Sequence, residues 1–248
     1  MGSDAAAIHS SANTKNTAMK IGIIGTGNIG GTLTRRFRAV GHDVNVANSR
    51  GPASLAGLAL ETGAHAASVE EVARGKDVVV VAIPLKQVEG LPPSLFAKAP
   101  AKMVVIDTNN YYPQQRDGRL DGIEAGLTES GWVEQRLGHP VVKAFNMIVA
   151  PHLLEDGKPA GTVGRITLAV AGDEPKKVTV MGLVNEIGFD TVDAGRIEEA
   201  WRQQPGSPGY CMDYNAEGVR QALAATPEER APEWRAAPNS PGTYALPA

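Results

Sequence analysis

The residues Gly25-Thr26-Gly27-Asn28-Ile29-Gly30 have the Gly-x-Gly-x-x-Gly spacing that turns a strand tightly into a helix. Such a turn brings backbone N–H groups and a helix N-terminus against a diphosphate. About twenty residues further on, a fold that binds NAD usually carries an acidic residue for the ribose 2′-hydroxyl. Here that stretch is Asn48-Ser49-Arg50, a hydroxyl and a guanidinium suited to a 2′-phosphate. The predicted ligand is therefore NADP(H), with Ser54 and Asn48 as helpers to Ser49 and Arg50. Ile83-Pro84-Leu85 closes a valine-rich strand where the middle of such a cofactor passes. Asn109, Lys143 and Asn146 fall at or just past strand ends, where doubly wound folds gather ligands. Asparagine amides there suit a nicotinamide carboxamide, although both asparagines also read as turn formers.

Acid–base chemistry has thinner support. Tyr111 and Tyr112 read as core or cleft-lining aromatics, with a catalytic tyrosine as the sharper alternative; with Lys143 they are the candidates for proton transfer, and no Tyr-x-x-x-Lys pair is present. His139 stands between Gly138 and Pro140, as a turn residue would. The five histidines show no metal-ligand spacing, so no metal is expected. The single cysteine, Cys211, reads as a small packed residue; lacking an internal disulfide partner, it fits a reducing cytoplasm.

These residues need an alternating scaffold, and the pattern supplies one. A strand beginning at Met19 runs into the Gly turn, and Ile29, Leu33, Phe37 and Val40 recur at helical spacing up to Gly41. Further strands are expected at Asp43–Ala47, Asp77–Ile83, Met103–Asp107 and Val141–Phe145. A helix over Pro52–Thr62 has proline at its start and Gly63 after its end, and Ser68-Val69-Glu70-Glu71 is a capping-box signature. Another helix is expected around Val88–Phe96, interrupted by Pro92-Pro93, then an irregular excursion over Gln114–Gly126 and a helix carrying Trp132, Val133 and Leu137. Alternating strands and helices argue for an α/β fold with a doubly wound, mainly parallel sheet.

From about Gly157 the pattern gives strand Arg165–Ala171, helix Glu174–Ile187 and strand Phe189–Asp193, either extending the sheet or forming a small second lobe. A helix with Trp201, a Pro/Gly-rich loop over Gln204–Gly209 and a helix near Asp213–Ala225 follow. The expected division is a disordered leader at 1–18, a nucleotide-binding domain at 19–156, and a small lobe with a Pro/Ala-rich helical tail at 157–248. A net charge of −3 in 248 residues gives no basic excess for nucleic acid. No apolar run approaches the roughly 20 residues of a membrane span.

Taken in order, the Gly turn, Asn48-Ser49-Arg50-Gly51-Pro52, Ala82-Ile83-Pro84, Asp107-Thr108-Asn109-Asn110-Tyr111 and Val142-Lys143-Ala144-Phe145-Asn146 form a recognisable set. Val170-Ala171-Gly172-Asp173 and Gly188–Gly195 complete it. The set resembles the NADP oxidoreductase, coenzyme F420-dependent family, and is similar to the ferric reductase domain of the STEAP metalloreductases. The resemblance covers about residues 19–200. It implies a Rossmann-type domain with a small C-terminal α/β lobe, a homodimer, and a deazaflavin bound between the lobes. It also implies that Thr26, Gly27, Asn28 and Ile29 hold the diphosphate, that Ser49 and Arg50 take the 2′-phosphate, and that Leu85, Asn146 and Ala150 line the nicotinamide half. Trp201–Ala248 and the long Gln114–Gly131 excursion depart from the family pattern, and both bear on the acceptor pocket.

Three functions follow. The first is hydride transfer between nicotinamide C4 and a flavin-like acceptor, coenzyme F420 or a flavin, where the protein chiefly aligns two rings and excludes water. The second is reduction of a small carbonyl or imine, which needs a proton donor within about 3 Å of the reacting atom. The third is a non-catalytic NADP(H) sensor.

Overall fold

The computed structural model describes residues 17–229. The expected leader lies almost wholly outside the described residues, as does the Pro/Ala-rich tail. Six parallel strands form the main sheet in the order β3-β2-β1-β4-β5-β6. They are β1 (Lys20–Ile24), β2 (Asp43–Ala47), β3 (His65–Ala66), β4 (Val78–Val81), β5 (Val104–Asp107) and β6 (Val141–Lys143). The order reverses between β1 and β4, which opens a crevice at their carboxyl ends.

Valine and isoleucine fill the central strands because both faces are covered. Ile21, Ile23, Val78, Val80, Val104 and Ile106 point into one buried cluster, and Ile24, Val79, Val81 and Val105 into the other. The first cluster is closed by Leu33 and Phe37 of α1 (Asn28–Ala39), Leu58 of α2 (Ala56–Thr62), and Leu153, Val180 and Leu183 from further along the chain. The second is closed by Val72 of α3 (Val69–Val72), Ile123 of α4 (Asp121–Glu124), and Trp132, Val133 and Leu137 of α5 (Glu129–Leu137). A fully buried side chain such as Phe37 contributes about 1.5–3 kcal/mol.

The capping box at Ser68 is present: its hydroxyl accepts from the Glu71 amide, and the Glu71 carboxylate accepts from the Ser68 amide. The helix expected around Val88–Phe96 is absent. The chain makes a 3-10 helix over Leu85–Gly90 and then turns, because Pro92 and Pro93 have no N–H to continue a ladder.

Beyond α6 (Ala150–Glu155), strands β7 (Thr167–Val170) and β8 (Asp190–Asp193) form a separate two-stranded parallel sheet around α7 (Lys176–Glu186). An antiparallel bridge stitches it to the main sheet, Lys143 N donating to Ala171 O at 2.8 Å and Ala171 N to Lys143 O at 3.1 Å. The C-terminal unit thus has its own sheet, yet Leu168, Val180 and Leu183 share a core with α1 and β1. The segment around Trp201 is a 3-10 helix, Ile197–Gln203, and α8 spans Ala216–Ala225, capped by Asn215.

Candidate functional site

Two neighbouring cavities open at the carboxyl ends of the strands, about 710 and 540 Å³. Gly27, Ala82, Ile83 and Pro84 line both, so the two form one cleft across the β1/β4 switch point.

The glycines of the turn have different tasks. Gly25 takes φ +96°, and a Cβ on it would stand 2.2 Å from the Ala82 carbonyl oxygen. Gly30 lets α1 pack on the turn, since a Cβ there would lie 1.9 Å from the Gly25 oxygen; it lines neither cavity, which corrects its expected contact with the cofactor. A Cβ on Gly27 would meet nothing within 4 Å among the described residues, so this position keeps the cleft floor open. Gly27 also caps α1, whose first turn carries no acidic side chain. The helix N-terminus is therefore left to an outside anion.

The 2′-phosphate candidates follow directly on β2. Ser49 and Arg50 are exposed and line the first cavity with Thr26 and Asn48. Asn48 organises this loop: its Oδ1 accepts from the Arg50 amide at 2.9 Å and the Ser54 hydroxyl at 3.1 Å, and its Nδ2 donates to Thr26 Oγ1 at 3.4 Å. Ser54 acts through Asn48 and does not line the cavity, a correction to its expected direct contact.

The second cavity gathers Asn28, Ile29, Asn109, Asn146 and Ala150 together with Tyr112. Asn109 is 3% exposed, and its Nδ2 has no hydrogen-bond partner among the described residues. An orphaned donor lining the cavity fits a carbonyl acceptor such as a nicotinamide carboxamide. Asn146 is held by Gln203, whose Nε2 donates to Asn146 Oδ1 at 3.0 Å.

Three expected residues lie elsewhere. Leu85 is fully buried in the core and lines neither cavity, because the 3-10 turn carries it inward. Tyr111 is likewise buried, its hydroxyl accepting from the Leu120 amide at 3.0 Å. Lys143 is enclosed beneath the site, with Nζ 2.7 Å from the Asn109 carbonyl oxygen and 3.3 Å from Glu129 Oε2. Neither Tyr111 nor Lys143 can reach a substrate; Lys143 fixes the loop that presents Asn109.

Sequence reasoning missed Asn110, Arg116 and Tyr210 and misplaced Cys211, which lines the second cavity. Tyr210 and Tyr112 share a short hydrogen bond between their hydroxyls, and Asn110 Nδ2 donates to Tyr210 Oη at 3.3 Å. Burial, with the Tyr112 hydroxyl next, pushes the Tyr210 phenol well above the ordinary range, and burial also raises Tyr112 and the Cys211 thiol. All three therefore stay protonated at neutral pH. Phe145 (φ 64°) and Cys211 (φ 57°) are the non-glycine residues with left-handed backbones among the described residues, and both line this cavity. Such conformations cost about 1–3 kcal/mol each and cluster at functional sites.

Residues 20–111 match the family model for NADP oxidoreductase, coenzyme F420-dependent. The sequence of this segment is similar to that family. Over 76 residues, 29% of this chain, the sequence is 51% identical to the YjhV protein of Escherichia coli (strain K12). That match spans 56% of the curated relative, little more than half its length. The hypothetical protein SMa0349 from Sinorhizobium meliloti shares the fold at 28% identity and a TM-score of 0.69, over 79% of this chain and 95% of that one. A structure from Arthrobacter sp. FB24, assigned as an F420-dependent NADP reductase, superposes at TM-score 0.60 with 24% identity, over 74% of this chain and 87% of the other. The α/β fold with its parallel sheet is shared with these structures. Among the described residues, no group of three or more His, Cys, Asp or Glu side chains could hold a metal ion, and no helix is long and apolar enough to cross a membrane.

Proposed function

We propose that this protein is an NADPH-dependent oxidoreductase, with the 2′-phosphate and diphosphate in the first cavity and the nicotinamide beside an acceptor in the second. The carrying observation is the continuous cleft from Ser49 and Arg50, past the open Gly27, to the orphaned amide of Asn109. When bound, NADPH supplies a hydride from nicotinamide C4. The chain's own part is to bind the phosphates, orient the carboxamide through Asn109, and exclude water with Ile83, Phe145 and Ile148.

The family supports a flavin-like acceptor, coenzyme F420 or a flavin, for which ring alignment suffices. A specific observation favours the second reading, a small carbonyl or imine: two protonated phenols, Tyr112 and Tyr210, face one cavity and share a hydrogen bond. Reduction of such a group consumes a proton as well as a hydride.

The test of the cofactor assignment is a fluorescence titration with NADPH and NADH, using native protein and Arg50→Ala. A charge-assisted contact to the phosphate is worth about 1.5–3 kcal/mol, so the variant should lose about ten- to a hundredfold in NADPH affinity and keep its NADH affinity. Equal binding of both nucleotides to native protein would overturn the assignment.

A further inference from the structure

We infer that Tyr210, relayed by Tyr112, delivers the proton to a small carbonyl or imine acceptor bearing an acidic group, which Arg116 receives. The inference rests on the NADPH reading above and on its carbonyl-or-imine branch. Tyr210 reaches the cavity from the C-terminal segment, nearly a hundred positions after Tyr112 by the sequence numbering. Its position is fixed from two sides. Asn110 Nδ2 donates to its hydroxyl at 3.3 Å and also to the Asn146 carbonyl oxygen at 3.0 Å. The next amide, that of the left-handed Cys211, donates to Met147 O at 3.0 Å, which ties this loop to the segment after β6. A packing tyrosine would not need its hydroxyl in a polar chain at the cavity wall.

Arg116 is the ionised side chain among the described residues that line this cavity, and no carboxylate lines it. Its guanidinium stands 5.0 Å from the centre of the Tyr112 ring. Behind it lies Asp117, fully buried, pairing with Nε at 3.0 Å and Nη2 at 2.9 Å. This pair holds the guanidinium at the wall, while Asp117 itself stays out of the cavity. The tight turn Pro113–Asp117, where the Arg116 and Asp117 amides both bond the Tyr112 carbonyl oxygen at 3.0 Å, sets Tyr112 and Arg116 side by side.

For a 2-oxo acid the balance is simple. The hydride forms the new C–H bond at the carbonyl carbon, and the C=O π pair moves to oxygen. The Tyr210 O–H bond breaks and its proton goes to that oxygen. Tyr210 regains a proton from Tyr112, and Tyr112 from water. NADPH leaves as NADP⁺ and the acid as its 2-hydroxy form. For an imine the same proton ends on nitrogen.

The experiment follows NADPH consumption by native protein with pyruvate, 2-oxobutyrate, their methyl esters, a cyclic 2-imino acid, coenzyme F420 and FMN, and repeats it with Tyr210→Phe and Tyr112→Phe. In parallel, calorimetry measures oxamate, an unreactive 2-oxo acid mimic, binding to the NADP⁺ complex of native protein and Arg116→Gln. The expected result is reduction of the acids or imino acid at least tenfold faster than of the esters. Tyr210→Phe should lose about 10²- to 10⁴-fold in kcat with NADPH affinity within about twofold, the range for a positioned proton donor. Tyr112→Phe should lose less, and Arg116→Gln should weaken oxamate at least tenfold. Full turnover in Tyr210→Phe, or equal rates with acids and esters, overturns the inference. Turnover of coenzyme F420 or FMN alone, or of nothing while NADPH binds, overturns it too and leaves the NADPH reading standing. Failure of native protein to bind NADPH overturns both. Should Tyr210→Phe not fold, the solvent isotope effect on native kcat decides, and its absence sinks the proton-transfer role.

Discussion

The Lys143 ammonium lies 3.3 Å from the Glu129 carboxylate, and neither side chain reaches solvent. Asp107 completes the cluster, 3.7 Å from Lys143 and equally buried, with its carboxylate accepting from Ser130 and from the Asn109 amide. These groups join the ends of β5 and β6 to α5, directly under the loop that lines the second cavity. Lys143→Met keeps the volume and removes the only positive charge of this cluster, leaving buried carboxylates uncompensated. We expect a loss of about 3–5 kcal/mol in guanidinium denaturation. Adding Glu129→Gln should recover part of it; a larger loss in the double variant would refute the pairing.

Asp107 also gives the fold a pH dependence. Burial, the largest influence, raises its carboxyl above the ordinary value of 3.8, although Lys143 opposes the shift. The folded state thus holds a proton that the unfolded chain releases. Well below 3.8 both states are protonated and Asp107 contributes no slope. As pH rises from there through the folded value, this group costs stability. Asp107→Asn removes the titration, so its stability relative to native protein should rise over that interval and then level off. Denaturation midpoints at a series of pH values check this, and a flat difference would refute it.

The central strands were legible because burial on both faces demands unbroken valine and isoleucine, and the Gly turn because its spacing has few other uses. The two-residue β3 was not, since His65 and Ala66 are exposed on the sheet edge and carry no pattern. The walls of the first cavity were legible because Thr26 and Arg50 lie beside strands that fix them. Those of the second cavity were not. Tyr112, Arg116 and Tyr210 are brought together by an irregular turn and a C-terminal loop, and no periodicity links residues so far apart. Lys143 misled because a strand end can face the core as readily as the cleft, while Tyr111 took the core place that an aromatic there suits.

The two outer kinds of glycine in the turn can be separated. Gly30→Ala forces a methyl against the Gly25 carbonyl, where the ideal Cβ lies 1.9 Å away, so α1 must move off the turn. We expect about 1–3 kcal/mol of destabilisation by thermal melting. Gly27 has an ordinary φ of −73° and open space at its Cβ. Gly27→Ala should melt like native protein yet bind NADPH about tenfold more weakly or worse, because the methyl occupies the diphosphate cradle. Loss of stability in Gly27→Ala would show that the open cradle is not what this glycine provides.

Asn109 offers the sharpest division between fold and site. Its backbone is pinned without its side chain: the amide donates to Asp107 Oδ1 at 2.9 Å, and the carbonyl accepts from Lys143 Nζ at 2.7 Å. Its side-chain donor is buried without a protein partner among the described residues, an arrangement that costs about 1–3 kcal/mol in the free protein. Asn109→Leu removes that penalty, so stability should hold or rise by about 1 kcal/mol. The same change removes the donor offered to the carboxamide, and NADPH affinity should fall about five- to a hundredfold. Binding of 2′,5′-ADP, which has the 2′-phosphate but no nicotinamide, should not change. Equal losses for both ligands would mean that Asn109 shapes the whole cleft, and the nicotinamide would have to be placed elsewhere.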